Sequence, residues 1–280
     1  MYGKVNVENI FRITELYTAF FRSYEPNHWF QGEVHNFWEI VFVIRGELGV
    51  TAGSDVITLT EGQAILHAPM EFHRLWTSDN ATSEIVIISF DCENMPTLKS
   101  RIFMTDSDMC KSAEKTVENI RNNFKTSDRS VIGIEHKSSP NYQLAVKETE
   151  CFVLNLISND AVICKPPALR SAKNYSYIIK VLEENIDKNL SVSQIAKLCN
   201  MSEINLKKTF SKYSGMGIKK YYSFLIMNKA IMLLNHGMSV SETAAALGFE
   251  GSNYFSLAFK RVIGKSPSKY KITPSISYAE

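Results

Sequence analysis

The chain is poor in cysteine and has none in a close pair. Five cysteines occur in 280 residues, at Cys92, Cys110, Cys151, Cys164 and Cys199, and no C-x-x-C spacing is present. That argues against structural zinc and thioredoxin-type chemistry, and leaves the thiols as small core residues in a reducing compartment. Long apolar runs are missing too: none reaches the roughly 18 residues that a membrane-spanning helix needs. The opening residues, Met1 to Glu8, lack the apolar stretch of a secretion signal. A cytoplasmic protein with no membrane partner is therefore expected. Nothing in the chain resembles a nucleophile–base pair, a phosphate loop or a carboxylate pair with a defined role, so no enzyme is predicted.

A large net charge is also absent, since the total is only +2. The balance is uneven along the chain. Residues 171–280 hold 15 Lys and Arg against 7 Asp and Glu, whereas residues 1–170 hold 16 against 22. A basic C-terminal part behind an acidic N-terminal part is the asymmetry of a nucleic-acid binder with a separate control region.

What is present begins with β patterning. Between about residue 5 and residue 100, Glu39–Ile44, Val56–Leu59, Ala64–His67 and Ile85–Phe90 read as short strands. Arg45-Gly46-Glu47 reads as the turn that closes the first of them, and Ala52-Gly53-Ser54-Asp55 as a hairpin. Short strands at regular turns predict a sandwich or barrel. The period then changes. Met109, Ala113, Val117, Ile120 and Phe124 step as one face of a helix, and Leu144 to Ile157 forms a second. Residues 126–140 read as a polar loop. Whether these helices cover their own barrel or a second subunit is left open by the sequence. Cys164-Lys165-Pro166-Pro167 breaks helix and extends the backbone, marking a linker. The expected organisation is α+β: a barrel over 1–105, a helical dimerisation segment over 106–163, a linker over 164–171 and an all-α domain over 172–280.

That last domain contains a repeat. Ser191-Val192-Ser193-Gln194 returns 48 residues later as Ser239-Val240-Ser241-Glu242. Each copy leads to an alanine (Ala196, Ala244), a turn residue (Asn200, Gly248) and a second helical stretch closing on phenylalanine and glycine (Phe210 to Gly215, Phe259 to Gly264). Serine followed three residues later by Gln or Glu is a capping box. Asn and Gly tolerate the left-handed conformation that ends a helix. Each copy therefore predicts two helices about a tight turn, the plan of a helix-turn-helix. A connecting helix is expected at about 217–235, with Tyr221, Phe224, Met227, Ile231 and Leu234 on its apolar face. On the second helices, Leu206, Phe210, Tyr213, Phe255 and Phe259 face inward. Lys207, Lys208 and Lys212 face outward in the first copy, and Ser252, Asn253, Ser256 and Lys260 in the second. Polar and basic side chains on an exposed helix face suit the major groove of DNA.

Ala246-Leu247-Gly248-Phe249, Ser252-Asn253-Tyr254-Phe255-Ser256, Phe259-Lys260-Arg261, Gly264 and Ser266-Pro267-x-x-Tyr270 resemble the C-terminal signature of the AraC family of transcription regulators. The resemblance implies two helix-turn-helix units on a rigid linker helix, entering successive major grooves roughly 34 Å apart. By position it implies base-reading roles for Ile204, Lys207 and Lys208, and for Ser252, Asn253, Ser256 and Leu257. Lys212, Lys260 and Arg261 complete the DNA-binding set. Leu257 stands where many relatives have arginine, Ile218 where the second copy has Pro267, and Ile226 where arginine is common in the linker helix. The resemblance also implies a cupin-like N-terminal barrel that binds a small-molecule effector or mediates dimerisation. A homodimer is expected, with RNA polymerase as a further partner.

The N-terminal half is less close to its pattern. His35-x-Phe37-x-Glu39, then Gly46, is similar to the first cupin motif, with Phe37 in place of its second histidine. Gly62, Pro69 and His73 are similar to the second. With one ligand replaced, neither a metal nor a cofactor is expected. Two readings stay open here. His35, Phe37, Glu39, Val41 and His73 line an effector cavity, with His67 and Arg74 as weaker candidates; or the barrel is filled and its histidines are merely hydrogen-bonded near the rim. The competing function, a metal-dependent cupin enzyme with a helical appendage, rests on His35, Glu39 and His73.

Overall fold

The structure is a computed structural model that describes residues 10–134, 139–158 and 172–269. The expected linker at 164–171, together with Cys164, Tyr270 and the segment Met1 to Glu8, lies outside the described residues. The remaining four cysteines are free thiols.

Seven strands build the N-terminal barrel: β1 (Arg12–Tyr24), β2 (Trp38–Ala52), β3 (Asp55–Thr60), β4 (Gln63–His67), β5 (His73–Trp76), β6 (Ser83–Glu93) and β7 (Ile102–Met104). The expected turn at Arg45-Gly46-Glu47 is not a turn. β2 runs straight through it for 15 residues. Gly46 sits at φ +84°, and a Cβ there would run into the Thr82 carbonyl, so the backbone bulges against β6 instead of reversing. The bend lets β2 serve two sheets. Its first half pairs with β4 and β6, its second half with β3 and β5.

Side chains alternate across a strand, and both parities of β2 find cover. Val41 and Val43 point inward and join Phe20, Leu59, Ile65, Leu75, Ile85 and Ile87 in the barrel core. Ile40 and Phe42 point outward and are covered by α1 (Ser107–Asn123) and α2 (Pro140–Ser158). The two helices thus pack on their own barrel, through Met109, Ala113, Val117, Ile120, Phe152, Val153 and Leu156.

The stretch read as a polar loop is corrected at both ends. β8 (Lys125–Ser127) and β9 (Ser130–Gly133) form a hairpin that adds to β1 through Thr18 and Ser130, turning at Asp128 with φ +47°. Its residues are mostly exposed, so no apolar alternation marked it. Pro140 is the first residue of α2, where its missing N–H costs nothing.

The C-terminal domain comprises α3 (Lys173–Glu183), α4 (Val192–Leu198), α5 (Glu203–Ser214), α6 (Ile218–Asn235), α7 (Val240–Ala246), α8 (Ser252–Ile263) and a 3-10 turn at Pro267–Lys269. Both capping boxes form. The amides of Gln194 and Glu242 donate to the hydroxyls of Ser191 and Ser239, at 3.3 and 3.2 Å, and each serine amide donates back at 2.8 Å. Asn200 and Gly248 take φ +54° and +70° at the matching turns. At Gly248 a Cβ would also strike the Asp187 carbonyl, so close packing and chirality both demand glycine there.

Helix α6 differs from its expected face. Phe224 is only half-buried, whereas Tyr222, Ile226 and Ala230 are buried with Tyr221, Met227, Ile231 and Leu234. The helix is hemmed in from several sides, by both helix-turn-helix units and by the barrel, so a single apolar stripe does not describe it.

The two domains share one apolar cluster, in which Val56 and Phe72 of the barrel pack among the C-terminal residues. The Phe72 ring meets Tyr221 edge-on, at 5.4 Å between centroids. Around it, the Thr51 hydroxyl donates to the Tyr213 carbonyl at 2.9 Å and Arg74 Nη1 to the Lys212 carbonyl at 2.7 Å. Ser176 Oγ donates to the Ser54 carbonyl at 2.7 Å, and Asn228 Nδ2 to the Met70 carbonyl at 2.9 Å.

Candidate functional site

The outward faces of α5 and α8 are open. Lys207, Lys208 and Lys212 are exposed on α5; Asn253, Leu257, Lys260 and Arg261 are exposed on α8, with Ser252 and Ser256 half-buried. Opposite them, Leu206, Phe210, Phe255 and Phe259 are fully buried. Two large apolar residues stand out among these polar neighbours: Ile204 is 82% exposed and Leu257 66%. Side chains so placed gain nothing from the fold. Tyr254, 63% exposed beside Asn253, belongs to the same surface and was not singled out by position. Each helix begins against a tight turn and ends on a left-handed glycine, Gly215 or Gly264. Ser202 also caps the start of α5 by accepting from the Asn205 amide at 3.2 Å, whereas α8 starts at Gly251 without a side-chain cap.

The second site is a polar layer at one end of the barrel. Parity places it. Glu39 shares its side of β2 with Val41, His67 shares β4 with Ile65, His73 shares β5 with Leu75, and Ser89 shares β6 with Ile87. All four point inward, one step along from the apolar core. His35 lies just before β2. Its Nε2 stands 3.6 Å from Glu39 Oε2, and His73 Nε2 stands 3.2 Å from Glu39 Oε1. The Ser89 hydroxyl donates to Glu39 Oε2 at 2.7 Å. His67 stacks on His73 at 4.3 Å, with its Nδ1 3.2 Å from Glu71 Oε2; Glu71 is also held by Arg101.

The charges follow from these contacts. Burial works against a charge on Glu39, but the flanking His35 and His73 outweigh it and hold the carboxyl far below its usual range. Burial alone would push His73 down. The carboxylates of Glu33 and Glu39 override it and raise His73 to about 10. Burial, reinforced by the charge on His73, takes His67 down to about 4.

Of the expected ligand residues, His35, Glu39 and His73 come together. Phe37 stacks on His35 at 3.8 Å and on Tyr17 at 4.0 Å, walling the site. Val41 shares the inward parity but is sealed within the apolar core, away from the polar layer. Four residues were missed or underrated. Glu33 pairs its backbone with His73, the two amides donating across at 2.9 and 3.1 Å, and its carboxylate reaches to 3.7 Å from His73 Nε2. His67 and Glu71 form the adjoining buried pair, and Arg74 turns out to tie the barrel to Lys212 on α5.

Residues 15–125 match a family model described as the AraC-like ligand binding domain, and residues 195–272 match one described as a helix-turn-helix domain. The Msm operon regulatory protein of Streptococcus mutans is 37% identical over 103 residues, which is 36% of this chain and 37% of that protein. The HTH-type transcriptional activator RhaR of Pectobacterium atrosepticum is 30% identical over 106 residues, 38% of this chain and 37% of that protein. The chain thus spans little more than a third of the length of either relative. Among solved structures, ToxT from Vibrio cholerae O395 is 14% identical, with 91% of this chain and 96% of that one covered, at a TM-score of 0.34. No helix among the described residues is long and apolar enough to cross a membrane. With the ligand-binding model over the barrel and the helix-turn-helix model over the repeated units, the chain belongs to the AraC family of transcription regulators.

Proposed function

We propose that this chain binds a specific duplex DNA sequence through α5 and α8, each in its own major groove, and regulates transcription under control of the barrel. The observation that carries this is the pair of outward faces on two capped, in-register units joined by one buried helix. Lys207, Lys208 and Lys212 supply charge to the first groove. Ser252, Asn253 and Ser256 supply donors and acceptors to the second, with Leu257 and Ile204 against methyl groups. Lys260 and Arg261 add phosphate contacts that set register. Titration of labelled duplexes at several salt concentrations tests the reading. Lys208→Ala and Asn253→Ala are expected to weaken specific binding more than nonspecific binding; equal losses in both would show that the reading faces are misassigned.

Control belongs to the polar layer of His35, Glu39 and His73, walled by Phe37. The short segment between β4 and β5 supports this coupling, because its residues alternate in allegiance. Glu71 and His73 face the polar layer, while Met70 and Phe72 touch α6. A ligand that shifts the first pair shifts the second, and so bears on the helix that spaces the two reading units. Homodimerisation through the outer side of α1 and α2, where Leu144 is exposed, and contact with RNA polymerase complete the proposed regulator. A Leu144→Glu variant that still sediments as the wild type would remove that helix face from the dimer. The matched relatives are named as regulators, which favours this reading over a cupin enzyme.

A further inference from the structure

We propose that a cleft at the free edge of β1 binds a small organic anion, a carboxylate or phosphate group attached to an apolar body. The cleft measures about 310 Å³ and is lined by Phe20, Phe21, Arg22, Arg121, Asp128 and Arg129. Pockets that hold small molecules begin at about that size. Three separate elements supply the arginines. Arg22 comes from β1, Arg121 from the last turn of α1, and Arg129 from the turn between β8 and β9. The cleft lies where β9 leaves β1. These two strands pair at Thr18 and Ser130, and the Ala19 amide donates to the Arg129 carbonyl at 3.2 Å. Beyond Ala19, no strand among the described residues covers this edge of β1. Backbone groups alternate in direction along a strand, so the Phe21 amide lies on the same open edge.

The lining gathers more positive charge than it neutralises. The guanidinium carbons of Arg22 and Arg129 lie 5.8 and 5.7 Å from the centroid of one ring, that of Phe20. Arg121 Nη1 donates to the Asp128 carbonyl at 2.8 Å and stands 3.5 Å from the Ala19 carbonyl, which orients its fork. Those acceptors are neutral, so they leave its charge uncompensated. The one acidic side chain in the lining, Asp128, stands 3.6 Å from Arg129 Nε, and both side chains are exposed, where such a pair contributes little. Arg22 gives the sharpest sign. Its Nε is buried and has no hydrogen-bond partner among the described residues. A buried donor on a charged group is costly to leave unpaired, and an anion against this guanidinium would pair it. The planar fork of arginine matches the two oxygens of a carboxylate or phosphate. Phe21, 42% exposed in the lining, offers a surface to the apolar part of the ligand. A bare inorganic ion would leave that ring in water.

The cleft shares no lining residue with the polar layer or with the reading helices. The test is calorimetric titration of the full chain with phenyl phosphate, with benzoate and with inorganic phosphate. One phenyl phosphate or one benzoate per chain is expected, bound more tightly than inorganic phosphate. Arg121→Gln and Arg129→Gln should each weaken that binding by about tenfold or more, as loss of a charged hydrogen bond does. Arg45→Gln, which removes an exposed arginine paired with Glu84, should leave it unchanged. Because Arg22 is half-buried, its variant could lose stability. Arg129 is exposed at a turn and keeps the test valid: weaker anion binding at an unchanged ligand-free melting temperature supports the site. If neither aromatic anion binds to protein that still binds duplex DNA, the anion site is overturned and the DNA reading stands. If Arg121→Gln and Arg129→Gln weaken duplex binding on every sequence while neither aromatic anion binds, the cleft takes DNA phosphates and the proposal is again overturned. Anion binding retained in both arginine variants also overturns it.

Discussion

At the scale of the residue, the two reading faces make unequal demands. Asn253 offers the donor–acceptor pair that matches adenine in the major groove, and a good bidentate contact discriminates by ~1–3 kcal/mol. Asn253→Ala is therefore expected to cost about that much, and to relax preference at one position while leaving the rest of the site intact. Lys208 is a point charge. If its partner is a phosphate, Lys208→Ala lowers affinity on every sequence and reduces the salt slope by about 1. Fluorescence titrations on specific and scrambled duplexes at three salt concentrations separate the two roles. A uniform loss of that kind in Lys208→Ala would take the lysine out of the reading set. The buried phenylalanines behind these faces were legible from helical spacing alone, because Leu206, Phe210, Phe255 and Phe259 recur every three or four positions. Glu33 and His67 were not so easily read. Their importance comes from strands that meet only in three dimensions, and a single glutamate before a histidine carries no local signal.

At the scale of the element, the repeat stands on its caps and turns. Ser239 satisfies one orphan amide at the head of α7 and receives the Glu242 carboxylate in return. Ser239→Ala should cost ~1 kcal/mol of stability, as cap removal usually does; chemical denaturation of the full chain measures it, and a change below a few tenths would mean that the box is decorative. Gly248→Val should cost more, since it adds left-handed strain to a collision with the Asp187 carbonyl. The same elements show why sequence reading succeeded in one half and slipped in the other. Helical caps are local, so both capping boxes and both turn residues could be read three or four positions at a time. Strand boundaries are not local. Gly46 looks like a turn residue, and only the Thr82 carbonyl packed against it shows that β2 continues. The β8–β9 hairpin packs only Val131 against the core, and one apolar residue is too little alternation to betray it.

At the scale of the molecule, two domains are joined by a contact that the sequence does not announce. Phe72 and Arg74 sit beside the polar layer, yet their partners are Tyr221 and Lys212, well over a hundred positions along the chain. Phe72→Ala removes a ring that is 2% exposed, and ~3–5 kcal/mol is typical for such a loss. The prediction is that the variant unfolds in two resolved calorimetric transitions, with the barrel and the helical domain melting apart, while DNA binding survives but no longer responds to the barrel's ligand. A single cooperative transition with an intact response would show that Phe72 is not the coupling contact. The central claim is broader: one chain presents two unlike reading helices on one repeated scaffold. Selection of bound sequences from random duplex DNA tests it most directly. The account predicts two different short motifs in fixed order, separated by about one helical turn, roughly 10–10.5 base pairs centre to centre, with Asn253→Ala degrading only one of them. Recovery of a single motif, or of no motif at all, would contradict it.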